Sequence, residues 1–378
     1  MRGTAGSITS RTVKLTMLWE STRIDSGRDL AGTYSRMKTC PLLRGYSGVC
    51  CLGTFVVSLD FELHWGVRDR LRVEEYRENL LGVRRSIPAM LALFSEYGIR
   101  ATWATVGFLF FETKEELLAA VPQELPQYSN HNLDPYAVLD KIGKNESEDP
   151  FHYAPSLIRL IQATAGQEIA THTFSHYYPG VPGPSLASFR ADIRAAKSAA
   201  ERLGLNIKSV VFPRNQVSMP HVRVCSEESL IAYRGVESDP YVAAGNGGID
   251  RAKRLADHYV NLSGACCGVP RMLNDCEIVS VPQSRFLRPC SGKLRALEGL
   301  RLRRILSSMT FAAENNLLFH LWWHPHNFGM LMDRNLAFLR AILEHFRLLN
   351  RQFAFCSLTM AEVAETVLAE SRAVCRES

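Results

Sequence analysis

Strand-like apolar runs alternate with helical repeats along most of this chain. Residues 54–63 (TFVVSLDFEL), 168–174 (EIATHTF) and 317–323 (LLFHLWW) are rich in β-branched and aromatic residues, which favours buried strands. The segments between such runs carry apolar residues at helical spacing, as in residues 74–97. This alternation predicts the α/β class, with a mainly parallel sheet covered by helices, and about seven such units favour closure into a barrel. Further predicted strands are 101–110, 209–215, 277–282 and 352–358, and further predicted helices are 156–165, 185–203, 293–315, 331–350 and 360–370.

Two parts of the chain depart from this pattern. Residues 1–52 lack periodicity and are predicted to be a poorly structured N-terminal extension, whereas residues 53–372 form a single barrel domain. Residues 122–155 are polar and contain the run NESEDP, so we expect an insertion or a lid there.

The charge of the chain argues against a nucleic-acid partner. Lys and Arg number 44 and Asp and Glu 38, which leaves a net charge of only +6 over 378 residues, whereas nucleic-acid binding requires positive charge gathered on one face. The densest basic run, residues 288–304, carries Leu at helical spacing. It is interpreted as a solvated helix face rather than as a phosphate or membrane patch.

The sequence also bears on the compartment. It contains no apolar run long enough to predict a membrane span, and the short apolar stretch 15–19 is flanked by Lys14 and Glu20, which is too broken for a signal-peptide core. The ten cysteines include no CxxC pair and are interpreted as reduced thiols. We therefore expect a cytoplasmic protein.

Two acids close the first predicted strand. Asp60 and Glu62 follow apolar residues in VVSLDFEL, and strand alternation places both on one face. Carboxylates at the end of a buried strand are costly unless a cation or a metal accompanies them. From these residues alone, a structural salt bridge at the strand end and a catalytic pair of carboxylates are equally good interpretations.

Two histidines follow the third predicted strand. His172 and His176, in THTFSHYYPG, have the spacing that places two imidazoles on one face of a helical turn, about 6 Å apart at Cβ. Combined with a carboxylate from another strand end, they favour a site of two histidines and one carboxylate for a divalent metal.

Two further strand ends carry polar groups. Arg214, in VVFPRNQ, could hold a carboxylate through two hydrogen bonds, although a structural ion pair is as good an interpretation. In FHLWWHPHNFG, His324 is placed at a strand end and suits a general acid with a pKa near neutrality. His320 lies deeper and is interpreted as a core histidine, whereas Trp322 and His326 are candidates for substrate contacts.

These four strand ends together resemble the polysaccharide deacetylases, carbohydrate esterase family 4. SLDFE is similar to the first motif of that family in a variant with one residue between the acids. His172-Thr173-Phe174-Ser175-His176 matches its H-[ST]-x-x-H motif, and FPRNQ and LWWHPHNFG resemble its later motifs. The resemblance covers roughly residues 54–330 and implies a distorted (β/α) barrel with one divalent metal ion, zinc first, with cobalt, nickel, manganese or iron as alternatives.

The resemblance also implies roles for individual residues. Asp60 would be the catalytic base, Glu62, His172 and His176 the metal ligands, and His324 the general acid. The residues between the ligands, Thr173 and Ser175, would offer backbone or hydroxyl groups to an acetate oxygen. Because Phe61 separates the acids and the ligand is Glu rather than Asp, base and ligand could be exchanged between Asp60 and Glu62.

The implied activity is removal of an acyl group from an N-acylated sugar or polysaccharide precursor. Two alternatives remain open: hydrolysis of another non-peptide amide in a small nitrogenous metabolite, and a catalytically inactive barrel that binds carbohydrate. The inactive barrel is disfavoured because all six polar groups of the strand ends are present, namely Asp60, Glu62, His172, His176, Arg214 and His324.

Overall fold

The computed structural model of the protein describes residues 53–236, 248–273 and 275–377. The predicted N-terminal extension, residues 1–52, lies outside these ranges. The strands form one sheet in the order β6-β7-β5-β4-β3-β2-β1-β9-β8, with β10 paired to the start of β1. All pairs are parallel except β6–β7. The strands are β1 Thr54–Phe61, β2 Ala101–Thr105, β3 Gln167–Thr171, β4 Ser209–Val210, β5 Ala232–Gly235, β6 Arg271–Leu273, β7 Cys276–Pro282, β8 Arg285–Phe286, β9 Leu318–Trp323 and β10 Cys356–Leu358.

Helices connect the parallel strands and, apart from the C-terminal helix α9, cover the outside of the sheet. The longest helix in the described ranges, α1, begins after Arg72 and ends at Gly98, whose left-handed backbone (φ 65°) closes the helix. No helix in the described ranges is long and apolar enough to cross a membrane. The helices are α1 Val73–Tyr97, α2 Lys114–Ala119, α3 Pro155–Ala163, α4 Leu186–Glu201, α5 Met219–Glu227, α6 Gly248–Asp257, α7 Glu298–Glu314, α8 Met332–Phe353 and α9 Met360–Glu377.

The sheet curls into a half-barrel, and its two faces carry separate apolar clusters. All eight residues of β1 are buried because this strand has neighbours along both edges, β2 and β10 on one side and β9 on the other. One face packs against α1, α7 and α8. The inner face holds Val56, Val279 and Leu318, which contact Met360 and Val363 of α9. Because α9 fills the interior near the strands' N-terminal ends, polar groups collect at the opposite, C-terminal ends.

The predicted distorted α/β barrel is confirmed, but several of the predicted strands are too long. The predicted strand 101–110 is wrong after Thr105, because the chain turns into a 3₁₀ helix over Gly107–Phe110, and the predicted strand 168–174 ends at Thr171. The predicted strand 209–215 is wrong after Val210: a short 3₁₀ turn starts at Pro213, which has no N–H for a ladder, and Arg214 adopts φ 54°. The predicted strand 352–358 begins only at Cys356, because α8 continues to Phe353. Here the amphipathic pattern of the preceding helix overrides a short β-rich run.

The polar segment 122–155 is packed against the body of the domain. Its backbone accepts hydrogen bonds from two arginines of the preceding elements, Arg84 to the Pro150 carbonyl at 2.8 Å and Arg68 to the Asn132 carbonyl at 2.9 Å. Phe151 and other apolar residues of the segment are buried. The predicted insertion is therefore a segment held against the domain by hydrogen bonds and apolar packing.

The prediction that the basic run 288–304 is a solvated helix face is wrong for two of its arginines. Arg301 and Arg304 of α7 are 2% and 5% exposed. Arg301 pairs with Glu298 and lies over the ring of Phe338. The helix predicted from the spacing of Leu in this run is present as α7. Its inward face carries arginines because buried polar groups pair with them there.

Candidate metal centre

The candidate site lies where three parallel strands end. Asp60 and Glu62 come from the end of β1, His172 follows β3 directly, and His324 follows β9. Since parallel strands bring their carboxyl ends to one edge, residues far apart in sequence meet here. The two acids, His172 and His176 are each less than 5% exposed.

Glu62 and the two histidines of the HTFSH segment form a compact cluster. Glu62 Oε2 lies 3.0 Å from His176 Nε2 and 3.3 Å from His172 Nε2. One candidate ligand atom from each side chain lies within 4.8 Å of the other two. Two imidazoles and one carboxylate are a donor set that suits zinc and related divalent metals.

The hydrogen bonding of His172 tests whether a cation fits. Its Nδ1 donates to the Val211 carbonyl at 2.8 Å, so Nδ1 carries the proton and Nε2 of the neutral ring presents a lone pair. That buried Nε2 has no hydrogen-bond partner in the part of the chain described, and it faces Glu62 Oε2. Two acceptors facing each other repel unless a cation lies between them, so the residues present fit a divalent metal.

The charges around Glu62 support the same conclusion. Burial raises the pKa of this carboxyl, but His324 and His176 hold it well below its usual range, so Glu62 is ionised. Burial lowers the pKa of His176 to about 4, against the opposing effect of Glu62, so this imidazole is neutral at pH 7. Among the described residues, no Arg or Lys forms an ion pair with Glu62.

The two imidazoles converge through a loop, and the predicted helical turn is wrong. Residues 172–176 are not helical, and Thr173 (φ 65°) and His176 (φ 59°) lie in the left-handed region. Asp192 of α4 holds this loop by accepting from the Phe174 amide at 2.7 Å and from the amide and hydroxyl of Ser175. A side chain on the neighbouring helix thus offsets the cost of the strained loop.

Asp60 has a partner that the sequence analysis missed. Arg234, at the end of β5, donates to both carboxylate oxygens of Asp60 at 2.6 and 2.8 Å. It also donates to Asn215 Oδ1 at 2.8 Å, and its guanidinium lies 4.2 Å from the ring centre of Trp322. Burial raises the pKa of Asp60, but the charge and the hydrogen bonds of Arg234 oppose this, and the net pKa lies below the usual value. The residue lies in the last half of the short strand AYRG, and only its position near another strand's carboxyl end could have signalled it.

His324 faces both acids from the opposite side. Its Nε2 lies 3.5 Å from Glu62 Oε1 and 3.8 Å from Asp60 Oδ2, and the side chain is 24% exposed. His326 stacks on it with ring centres 5.0 Å apart, and Phe286 and Trp322 contact it edge-on. Burial lowers the pKa of His326 to about 3, so the inner ring of the stack is neutral. His324 is therefore the partly exposed imidazole beside the acids.

The remaining predicted site residues lie around this group. Arg214 donates to both oxygens of Asp69 at 2.6 Å and covers the ring of Tyr178, so the carboxylate that it holds is not Asp60. The hydroxyl of Thr173 accepts from the Tyr177 amide at 2.7 Å. The side chains of Thr173 and Ser175 are fully buried and bonded within the protein. His320 is a core histidine, as expected, with Nε2 2.8 Å from the Ser58 hydroxyl.

Comparison with known proteins supports the fold. No protein-family model and no curated protein sequence matches the chain. A solved structure from Mycobacterium smegmatis, assigned as a polysaccharide deacetylase, matches with a TM-score of 0.53 at 15% identity, covering 86% of this chain and 95% of that one. A 4-α-glucanotransferase of Thermococcus litoralis has a TM-score of 0.49 at 13% identity, covering 83% of this chain and 40% of that one. A Pseudomonas aeruginosa protein assigned as a polysaccharide deacetylase has a TM-score of 0.47 at 11% identity, covering 83% and 89%.

The chain therefore resembles the polysaccharide deacetylases in fold. At these identities the likeness shows the barrel alone, and the chemistry rests on the side chains described above.

Proposed function

We propose that this protein is a metal-dependent hydrolase that removes an acyl group from an N-acylated sugar or a polysaccharide precursor. The observation that carries the proposal is the convergence of Glu62, His172 and His176, with an imidazole lone pair facing an ionised carboxylate. A divalent cation held by these three side chains would polarise an acyl carbonyl and lower the pKa of a water molecule.

The protein's own groups then divide the proton transfers between them. Asp60 is the proposed base, because the ion pair with Arg234 keeps it ionised and fixes its orientation. Glu62 is the proposed ligand, because it contacts both histidines while Asp60 contacts the arginine. The separation of these partners supports this assignment over the exchanged one.

His324 is the proposed acid for the leaving group. It is the imidazole at the site that lies within 4 Å of both acids and is partly open to solvent, whereas His326 behind it is buried. Asn327 Nδ2 lies 3.5 Å from His324 Nδ1 and would help to orient the ring. The half-buried Trp322 beside it is the proposed contact for a sugar ring.

Arg214, Thr173 and Ser175 have supporting parts in the proposal. Arg214 fixes Asp69 and Tyr178 at the edge of the site, where it would contribute to substrate positioning. Since the hydroxyls of Thr173 and Ser175 are bonded internally, we assign any contact with an acyl oxygen to the backbone of this loop.

Acetate release tests the proposal. Purified protein is loaded with zinc or cobalt and incubated with N-acetylated sugars, their oligomers and O-acetylated sugars, with small cyclic and linear amides as a separate arm. We expect metal-dependent acetate release that Asp60→Asn abolishes and that the exposed-site control Asp275→Asn retains. Turnover of small amides alone would replace the sugar assignment, and binding of sugars without any turnover would favour an inactive barrel.

A further inference from the structure

A second group of charged side chains is buried away from the metal centre. It lies between the end of α6, the two-residue strand β8 and the inner face of α7, and consists of Asp257, Arg285 and Arg304. All three are between 5% and 6% exposed. On β8, Arg285 pairs in register with Leu321 of the helix-covered core, whereas the next residue, Phe286, contacts Trp322 and His324. The arginine therefore lies on the side of the sheet opposite the site.

One carboxylate serves two guanidiniums in this group. Arg285 Nη1 donates to Asp257 Oδ2 at 3.1 Å, and Arg304 Nη2 lies 3.7 Å from Oδ1. Asp257 also accepts from the amides of Leu262 and Ser263 at 2.9 and 2.8 Å and from the Ser263 hydroxyl at 2.7 Å. Its oxygens are thus saturated, and the group keeps an excess of one positive charge, which is costly where water is excluded.

Three buried donors of the two arginines remain without acceptors. Arg304 donates Nη1 to Ser308 and Nη2 to Ser263 and to the Gly264 carbonyl, but its Nε has no hydrogen-bond partner within the described ranges. Arg285 Nε and Nη2 have none there either. These two atoms form one edge of the guanidinium, the edge that holds a carboxylate or phosphate through two parallel hydrogen bonds.

The pKa of the neighbouring His258 is consistent with the same excess of positive charge. Burial, followed by Arg288 and Arg285, lowers the pKa of His258 to about 3. Burial and Arg285 also lower the pKa of Arg304, although Asp257 opposes this. Buried donors without acceptors in native proteins call for an unseen water or ion, and a positive environment selects an anion.

We propose that Arg285 and Arg304 form a binding site for a small oxyanion of the phosphate, sulfate or carboxylate class. The oxyanion accepts from Nε and Nη2 of Arg285 and from Nε of Arg304 and balances the excess charge that Asp257 leaves. The loop that bonds to Asp257 and Arg304 carries the exposed residues Leu262 and Gly264, so the group lies close to the protein surface.

Calorimetric titration of the full chain tests this proposal independently of any enzymatic activity. The protein is kept in Tris chloride, and sodium phosphate, sulfate or acetate is added at an ionic strength held constant with sodium chloride. We expect one saturable site for at least one of the three anions, with a Kd of about 10 µM to 1 mM. Arg285→Met and Arg304→Met should each weaken binding at least about tenfold, because each removes donors to the ion.

The exposed Arg303 of the same helix provides the matched control. Arg303→Met should bind the anion as the wild type does. Equal weakening by all three substitutions would mean that only general charge attraction is present, and it would overturn the proposal. If the buried-site variants fail to fold, the wild type still decides: an unchanged Tm and no binding heat at tens of millimolar of every anion would refute the site.

Discussion

The buried pair of Asp60 and Arg234 gives a prediction whose size follows from the structure. In Arg234→Met, Asp60 remains in a site where it is 3% exposed, but both of its short hydrogen bonds to the guanidinium are lost. Breaking a buried ion pair in this way costs about 3–5 kcal/mol. The carboxyl can limit the cost by taking up a proton. Relative to an unfolded pKa of 3.8, protonation at pH 7 costs about 4 kcal/mol, at 1.36 kcal/mol for each pH unit.

The pH dependence of this loss has a definite sign. In the wild type the pKa of Asp60 is lowered, so its contribution to stability is present above pH 3.8 and is lost as the pH falls below that. In Arg234→Met the contributions of Arg234 are gone and burial, the largest cause for this carboxyl, raises the pKa against the smaller effects of His172 and His324, so stability is lost as the pH rises from about 4. The difference in unfolding free energy between the two proteins should therefore grow by up to about 1.4 kcal/mol per pH unit between pH 4 and 7.

Urea unfolding of both proteins at several pH values measures this difference. The control is Arg223→Met, which breaks an ion pair with Asp275 in which both side chains are 54% exposed and which should cost less than about 1 kcal/mol. Adding Asp60→Asn to Arg234→Met should remove most of the pH dependence. A loss in Arg234→Met that matches the control, or that is the same at pH 4 and 7, would refute the reasoning.

Three further predictions concern the loop, the proposed acid and a close packing contact. Asp192→Ala removes the acceptor for the Phe174 and Ser175 donors, so cation affinity measured by titration should fall about 10–100-fold while the far-ultraviolet circular dichroism is retained; unchanged affinity would contradict the positioning argument. His324→Gln should keep the bound cation but reduce turnover about 10²–10⁴-fold in the acetate assay, and wild-type turnover would remove His324 as the acid. Gly82→Ala places a Cβ 2.3 Å from Gly329 and should cost about 1–3 kcal/mol in urea unfolding, whereas Gly299→Ala meets no atom within 4 Å and should not destabilise; equal effects would refute the close approach.

The sequence was most informative about the fold where strands and helices follow one another regularly. The apolar runs that became β1, β3 and β9 are long or strongly β-forming, and their buried surroundings match that pattern. The order of the strands could not be obtained in this way, since pairing of β1 with β9 and β10 joins segments more than 250 residues apart. Pairings at such separations depend on tertiary packing and leave no local signal.

At the site, sequence reasoning located the strand ends but not all of the partners. The spacing of His172 and His176 pointed to a shared ligand site, yet the loop that brings them together uses positive φ angles and a carboxylate from α4. Arg234 was missed because a lone arginine in a short strand has no distinctive spacing. Arg214 was considered instead because its run of Pro, Arg and Asn is more distinctive, but its carboxylate partner is Asp69. Ion pairs between distant segments are set by tertiary geometry.

The central claim is that Glu62, His172 and His176 hold one divalent cation. Its most direct test is elemental analysis of the wild type, His172→Ala and the exposed-histidine control His131→Ala, each loaded with zinc and then freed of unbound metal. The account predicts about one ion per chain in the wild type and in the control, and loss of that ion in His172→Ala. An ion content that is near zero in the wild type, or that is unchanged in His172→Ala, would contradict it.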